Sequence, residues 1–287
     1  MLSTSSIDLF FIPVRPLSAT EQIYLQGVCH PNEREKAERY RSLAGQDGAM
    51  LSRGALRLVL SKYTNIKPND WMFETSSYGK PQLCHQQFLH SRLRFNVSHS
   101  GDWLLIGIIQ LEPHMNAAGM GLFGVDIERA RAKTDIHPIL KHYFTEQETQ
   151  SLLALPEPLQ RDRFFDLWAL KESYIKATGF GLAQSLKSFA FDIDRATQDT
   201  VELCNAAEFG LQSTLPLMSQ VALTHFSHSS ISPSVSALSA LGVDSREWQS
   251  VIGRLDGEYR FAVTVSDCRD NLLLSAQAVS LAELLAK

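Results

Sequence analysis

The stretch from Arg161 to Thr178 constrains this chain more than any other, because nearly every side of it carries large apolar residues. Phe164, Phe165, Leu167, Trp168, Leu170, Tyr174 and Ile175 fall on nearly every face of a helix drawn through it. A helix apolar all round belongs inside the protein. The polar groups it carries therefore meet an interior rather than bulk water. Trp168, Glu172 and Lys176 follow one another at steps of four and share one stripe.

Around that helix the pattern alternates between strand and helix. Ile7 to Val14 reads as a first strand, interrupted for any leader role by Asp8 and Pro13. Leu17 to Val28, opening with Ser18 and Glu21 at capping-box spacing, and then Arg34 to Leu43 and Asp47 to Tyr63 read as helices. In the last of these Leu51, Ala55, Leu58 and Val59 form the apolar stripe, and Arg53 and Arg57 share another face on which two guanidinium groups could grip one phosphate. Phe95 to Ser98 and Trp103 to Ile109 read as strands flanking a Ser-Gly-Asp turn. Glu112 to Gly121 reads as a link. A second half follows: a strand at Gly124 to Glu128, a helix from Thr145 to Leu155 stopped by Pro156, the long helix, and strands near Phe189 to Ile193 and Tyr259 to Val265. An α+β fold of two similar halves, 1–117 and 118–287, is the simplest account. Serines crowd the segment from 226 to 241, which reads as a surface insertion.

The chain has 287 residues, 44% of them hydrophobic, enough for a core without staples. Cys29, Cys84, Cys204 and Cys268 stand far apart with no C-x-x-C pair, which argues against zinc or a disulfide framework and for a reduced cytosol. No apolar run is long enough to span a bilayer. A net charge of −4 gives nucleic acid no reason to bind, so a phosphate must be met by a local patch. Arg34, Lys36, Arg39, Arg41, Arg53, Arg57 and Lys62 outnumber Glu35, Glu38 and Asp47 in one region; they read either as that patch or as a solvated helix face.

In the strand from Gly124 to Glu128, alternation turns Val125 and Ile127 to one face and Asp126 and Glu128 to the other. Two carboxylates pointing together repel, and a divalent cation relieves them; Mg²⁺ suits because it joins one or two carboxylates to substrate phosphates. The same D-x-E spacing also describes an exposed sheet face. Glu172 can close a cation site from the helix, with Lys176 one turn on reaching a phosphate, although an i,i+4 Glu-Lys pair on a wet surface has the same spacing. Thr145 and Glu148 stand at capping-box spacing, so Glu148 reads as a cap or as a base acting through water. Ser98 and His99 end a strand at a turn, and Lys80 sits in a Tyr-Gly-Lys-Pro turn that displays it to solvent. No G-x-x-x-x-G-K-[ST] motif is present.

Taken in order, Tyr78-Gly79-Lys80-Pro81, Phe95 to Ser100, Gly124 to Glu128, Phe144 to Glu148 and Trp168 to Lys176 resemble the 4'-phosphopantetheinyl transferases of the monomeric, two-halved, surfactin-synthetase-activating type. The resemblance implies two halves related by a pseudo-twofold axis. It also implies transfer of 4'-phosphopantetheine from Mg²⁺-bound coenzyme A to a serine of an apo-acyl or peptidyl carrier protein, releasing 3',5'-ADP. By position it makes Asp126, Glu128 and Glu172 the Mg²⁺ ligands, Lys176 a diphosphate contact, and Glu172 or Glu148 the base. It places Lys80, Ser98 and His99 beside coenzyme A, with Lys36 and Arg53 near its 3'-phosphate. Glu33 stands where the surfactin-type enzymes carry a lysine, and Arg34 or Arg53 could substitute. A coenzyme A- or carrier-binding module without transfer, or a Mg²⁺-dependent pyrophosphohydrolase, are the rival readings; for the second no R-E-x-x-E-E helix is present.

Overall fold

The computed structural model describes residues 6–111, 122–226, 243, 246–268 and 272–286. The expected link at 112–121 and most of the serine-rich segment lie outside the described residues.

The first strand, β1 (Ser6–Pro13), is apolar on both faces and is covered on both. Ile7, Leu9 and Phe11 face one cluster of buried side chains, and Phe10 and Ile12 face another. That second cluster is roofed by α1 (Ala19–Val28) and α3 (Leu43–Leu60), with α2 (Pro31–Glu38) packed on α3, in which Leu51, Ala55, Leu58 and Val59 form the buried stripe. Ser18 and Glu21 make the expected capping box. The second helix starts one turn earlier than its sequence suggests, because the His30 ring accepts from Asn32 N–H and Pro31 occupies the first turn. The third begins at Leu43, capped by the Ser42 hydroxyl.

A short hairpin of β2 (Phe73–Thr75) and β3 (Pro81–Leu83) and a two-turn α4 (His85–Ser91) lead into β4 (Leu93–Ser100) and β5 (Trp103–Gln110), which pair antiparallel. Then come β6 (Phe123–Arg129), α5 (Ile136–Tyr143), α6 (Glu146–Leu153) and α7 (Glu157–Thr178). Strands β7 (Phe189–Asp192), β8 (Thr197–Cys204), β9 (Thr214–Ser219), β10 (Ala222–His225), β11 (Trp248–Arg254), β12 (Tyr259–Ser266) and β13 (Leu273–Ala278) follow, with α8 (Leu281–Leu285) last.

Nine strands form one sheet in the order β4-β5-β1-β13-β8-β9-β11-β12-β6. Its inner face encloses a cluster built from Leu9, Leu105, Val125, Ile127, Phe261 and Val263, so the sheet folds over on itself. The α1–α3 layer covers one outer face and α7 the other, giving a mixed α/β architecture. The helix expected to be buried is buried: Phe164, Leu170, Tyr174 and Ile175 pack with Phe189, Ile252 and Ala262.

The two terminal strands of that order, β4 and β6, meet at a seam without a backbone ladder. Side chains make the connection. Val125 N–H donates to Asn96 Oδ1 at 3.0 Å, Ser98 Oγ donates to Asp126 Oδ1 at 2.8 Å, and Ser100 Oγ donates to Glu128 Oε2 at 2.6 Å. The serine-to-carboxylate pairs keep one offset along the chain, so β4 and β6 run side by side in the same direction. Helix α7 then lies directly over β6, because Gly124 has no side chain there: a Cβ would come within 2.1 Å of the Ser173 carbonyl oxygen.

Candidate active site at the seam of two edge strands

Asp126 lies at the bottom of the site, 3% exposed, with its strand partners Val125 and Ile127 in the core on the opposite face. Its Oδ1 accepts from Ser98 and from Lys176 Nζ, the latter at 2.6 Å. Lys176 Nζ also donates to Ser98 Oγ at 2.7 Å. Asp126 Oδ2 is buried with no hydrogen-bond partner. An orphaned carboxylate oxygen beside an ammonium marks a place that holds positive charge. Burial pushes the Asp126 carboxyl above the usual range, against the pull of Lys176 and Ser98.

Glu128, two residues along, is pushed up by burial and by Asp126 while Ser100 draws it down. Glu172 descends from α7 and is pushed up to about 7, first by burial, then by Asp126, with Lys176 opposing and Glu128 adding to the rise. The three carboxylates therefore share one electrostatic neighbourhood, as the strand alternation and the helix stripe require. They do not form a closed cage: among the described residues no three acidic, imidazole or thiol side chains are set to hold a metal by themselves. Mg²⁺ is an ion that binds through one or two carboxylates and takes water and substrate oxygens for the rest of its shell. Oxygen donors, an unpartnered buried oxygen and mutual repulsion make the donor set compatible with that ion.

Glu172 and Lys176 form one end of a cleft of about 960 Å³. His99 lines it beside them; partial burial lowers its pKa, Lys176 lowers it further, and Asp126 opposes. The cleft passes Tyr78 to Pro81 and ends among Lys36, Tyr40 and Arg53 in the α2–α3 layer. Acidic and basic side chains thus line one cleft, in which Glu172 represents the three carboxylates and Lys36 and Arg53 the cations of the α2–α3 layer.

Two sequence expectations require correction, and a third keeps one of its two readings in view. Glu148 is built as a cap: 2% exposed, it caps α6 through Thr145, accepts from Phe191 N–H at 3.0 Å and pairs with Lys171 Nζ at 2.9 Å. Lys80 is not displayed to solvent. Its ammonium donates to the carbonyls of Phe123 at 2.9 Å and Ala177 at 3.0 Å, and burial pushes it down to about 7. Its stem forms a wall between the main cleft and a smaller cavity of about 270 Å³. Arg53 and Arg57 do not grip one anion together either. Arg57, buried, is bound by Glu33 at 2.8 Å and by the carbonyls of Pro68 and Trp71, which leaves Lys36 and Arg53 as the cations at that end of the cleft. The residue missed from the sequence is Ser100. Its signal was the period of two in Asn96, Ser98 and Ser100, which sets three polar groups on one face of β4 at the spacing of the D-x-E opposite.

Two stretches match known family descriptions: residues 16–109 match "4'-phosphopantetheinyl transferase, N-terminal", and residues 122–224 match "4'-phosphopantetheinyl transferase superfamily". Among similar proteins, the 4'-phosphopantetheinyl transferase Sfp of Bacillus subtilis is 32% identical over 66% of this chain and 77% of its own length. The chain belongs to the 4'-phosphopantetheinyl transferase superfamily. The 4'-phosphopantetheinyl transferase HetI of Nostoc is 30% identical over 64% of the chain and 73% of its own. The human L-aminoadipate-semialdehyde dehydrogenase-phosphopantetheinyl transferase is 28% identical over 59% of the chain and 54% of its own. The matched stretches carry every residue of the candidate site.

Proposed function

We propose that this transferase moves the 4'-phosphopantetheine arm of coenzyme A to a serine of an apo-acyl or peptidyl carrier protein, releasing 3',5'-ADP. The observation that carries the reading is that Asp126, with one oxygen bare, is bound by Lys176, which together with Glu172 lines the same cleft as Lys36 and Arg53. Asp126, Glu128 and Glu172 would hold Mg²⁺. Bound there, the ion supplies charge neutralisation for the diphosphate and the departing nucleotide.

The chain's own groups do the rest. Lys176 and His99 orient the diphosphate, and Ser98 fixes Lys176 and Asp126 relative to each other. Lys36 and Arg53 meet the 3'-phosphate, with Glu33 and Arg57 neutralising each other behind them. The carrier serine oxygen attacks the pantetheine-bearing phosphorus, the bond from that phosphorus to the bridging oxygen breaks, and the hydroxyl proton passes to the Glu172 carboxylate. Glu172 is the carboxylate that lines the cleft, where such an acceptor would stand. Lys80 ties the Tyr78–Pro81 loop to β6 and α7 and so holds the cleft wall in place.

The same reading divides the chain near residue 117 into two halves related by a pseudo-twofold axis. The co-directional edge strands β4 and β6 support it, as do the limits of the two family matches on either side. A monomer working in the cytoplasm accords with this picture; no described helix is long and apolar enough to cross a membrane.

Mass spectrometry of apo-carriers incubated with the protein, coenzyme A and Mg²⁺ tests the proposal. One phosphopantetheine on a single serine is expected, lost with Asp126→Ala. Coenzyme A hydrolysed with no carrier modified would instead favour a pyrophosphohydrolase, and coenzyme A bound but unconsumed a binding module.

A further inference from the structure

Ser98 and Ser100 on β4 match Asp126 and Glu128 on β6 one for one, and each hydroxyl takes a single oxygen of its carboxylate. At Asp126 this occupies Oδ1 and leaves Oδ2 bare. At Glu128 the hydrogen bonds fall on Oε2, from Ser100 Oγ at 2.6 Å and from Arg129 N–H at 3.1 Å, and leave Oε1 for another partner. Ser100 Oγ also accepts from Arg129 N–H at 3.1 Å, which fixes the direction of its own proton toward Glu128. Ser100 is buried, so its hydroxyl has no water to turn to. A glutamate on an edge strand with no ladder partner on this side has three side-chain torsions to restrain, and this hydroxyl restrains them.

We propose that Ser100 is a positioning residue of the transfer site: it aims the free oxygen of Glu128 at the place where the cation is held, as Ser98 does for Asp126. The inference rests on the transferase reading above and names a residue which that reading leaves without a role. It adds a condition on the seam itself: β4, from the half that carries Lys36 and Arg53, sets the carboxylates of β6, so the site is complete only when the two edge strands are in register.

Calorimetric and paramagnetic titration of the full chain with Mn²⁺ in the presence of coenzyme A tests this, alongside the Mg²⁺ dependence of transfer. Loss of a group that orients a metal ligand weakens metal affinity by about 10–100-fold. Ser100→Ala is expected to raise the Mn²⁺ dissociation constant and the Mg²⁺ half-saturation by about tenfold or more. The KM for coenzyme A at saturating Mg²⁺ should stay near that of the parent. Ser100→Thr, which keeps the hydroxyl, should restore both metal constants. Ser100→Cys, near in size but a weak donor, should behave like the alanine variant and covers the case in which alanine disturbs the fold. A folded Ala or Cys variant with parental Mn²⁺ affinity would overturn the positioning role alone. Equal losses in Ala and Thr would overturn it too, by tracing the effect to packing. A parental protein that binds no Mn²⁺ with coenzyme A would defeat the metal-assisted reading itself and the inference with it.

Discussion

Replacing Glu148 by glutamine separates a structural carboxylate from a catalytic one. Its Oε2 accepts from Thr145 N–H and Oγ1, both at 3.0 Å, and stands 2.9 Å from Lys171 Nζ; Oε1 accepts from Phe191 N–H at 3.0 Å. Lys171 is fully buried and donates also to the carbonyls of Leu186 at 2.7 Å and Phe189 at 2.8 Å, with its ammonium over the Phe189 ring. Burial pushes Lys171 down, and Glu148 is the group that pulls it back up. A glutamine can still accept from Phe191, but its NH₂ must then face an ammonium and a backbone N–H, donor against donor. The ammonium is left buried without a counter-charge. Breaking a buried pair from one side costs about 3–5 kcal/mol. For a domain of this size class that corresponds to a fall in melting temperature of roughly 6–20 °C. Glu148→Gln should therefore melt early while its kcat/KM, measured well below the transition, stays near that of the parent. Glu148→Gln/Lys171→Met should regain part of the loss, since a neutral pair leaves no stranded charge. Unchanged melting together with a fall of ~10²-fold or more in turnover would refute the argument and make Glu148 a proton acceptor.

Glu172 behaves in the opposite sense. Its carboxyl is raised in the folded state, so between about 4.5 and about 7 the native protein holds a proton that the unfolded chain releases, and metal-free stability falls as pH rises through that window. The shift corresponds to about 2–3 kcal/mol once partial exposure is allowed for. In chelator at pH 8, Glu172→Gln should thus be more stable than the parent yet inactive in transfer; a less stable variant at that pH would contradict the assigned cause. At the other end of the cleft, Lys36→Ala removes a charge-assisted contact of ~1.5 kcal/mol, about tenfold in the KM for coenzyme A. The same variant should treat 3'-dephospho-coenzyme A as the parent does, and an equal loss with both substrates would remove Lys36 from the 3'-phosphate.

Local periodicity was enough for the central elements. The alternation in Gly124 to Glu128 and the stripe of Trp168, Glu172 and Lys176 are short-range facts, and the structure keeps both. Strands β8, β9, β11 and β13 escaped notice because their placement depends on neighbours far along the chain, such as the parallel pairing of β13 with β1. The short α5 lies close before the Thr145 cap of α6 and was overlooked beside it. Lys80 departs from its local signal. A glycine-proline turn signals exposure, but what receives this lysine is two carbonyls 43 and 97 residues away. Glu33 looked like a lost phosphate contact, and the structure shows what it does instead: it binds Arg57 and accepts from His30 N–H at the start of α2.

Lys171 and Glu172 are neighbours on α7, and the difference between them shows how the helix serves two ends. Lys171 points into the apolar cluster, where Glu148 and two carbonyls satisfy it, so its charge holds α6 and β7 against the helix. Glu172 turns toward the seam, where the nearest charges are two further carboxylates and a single lysine already bound to one of them. Folding alone gives no reason to keep that second arrangement: it raises the carboxyls, leaves Asp126 Oδ2 bare and weakens the protein near neutral pH. A cation brought with a diphosphate removes each of these costs at once, and it does so only when β4 and β6 lie in register. Substrate binding is then expected to stabilise the fold most where the ligand-free protein is weakest, along the line from Ser98 to Glu128, and protection of the β6 amides from hydrogen exchange on adding coenzyme A with Mg²⁺ is the measurement that bears on it.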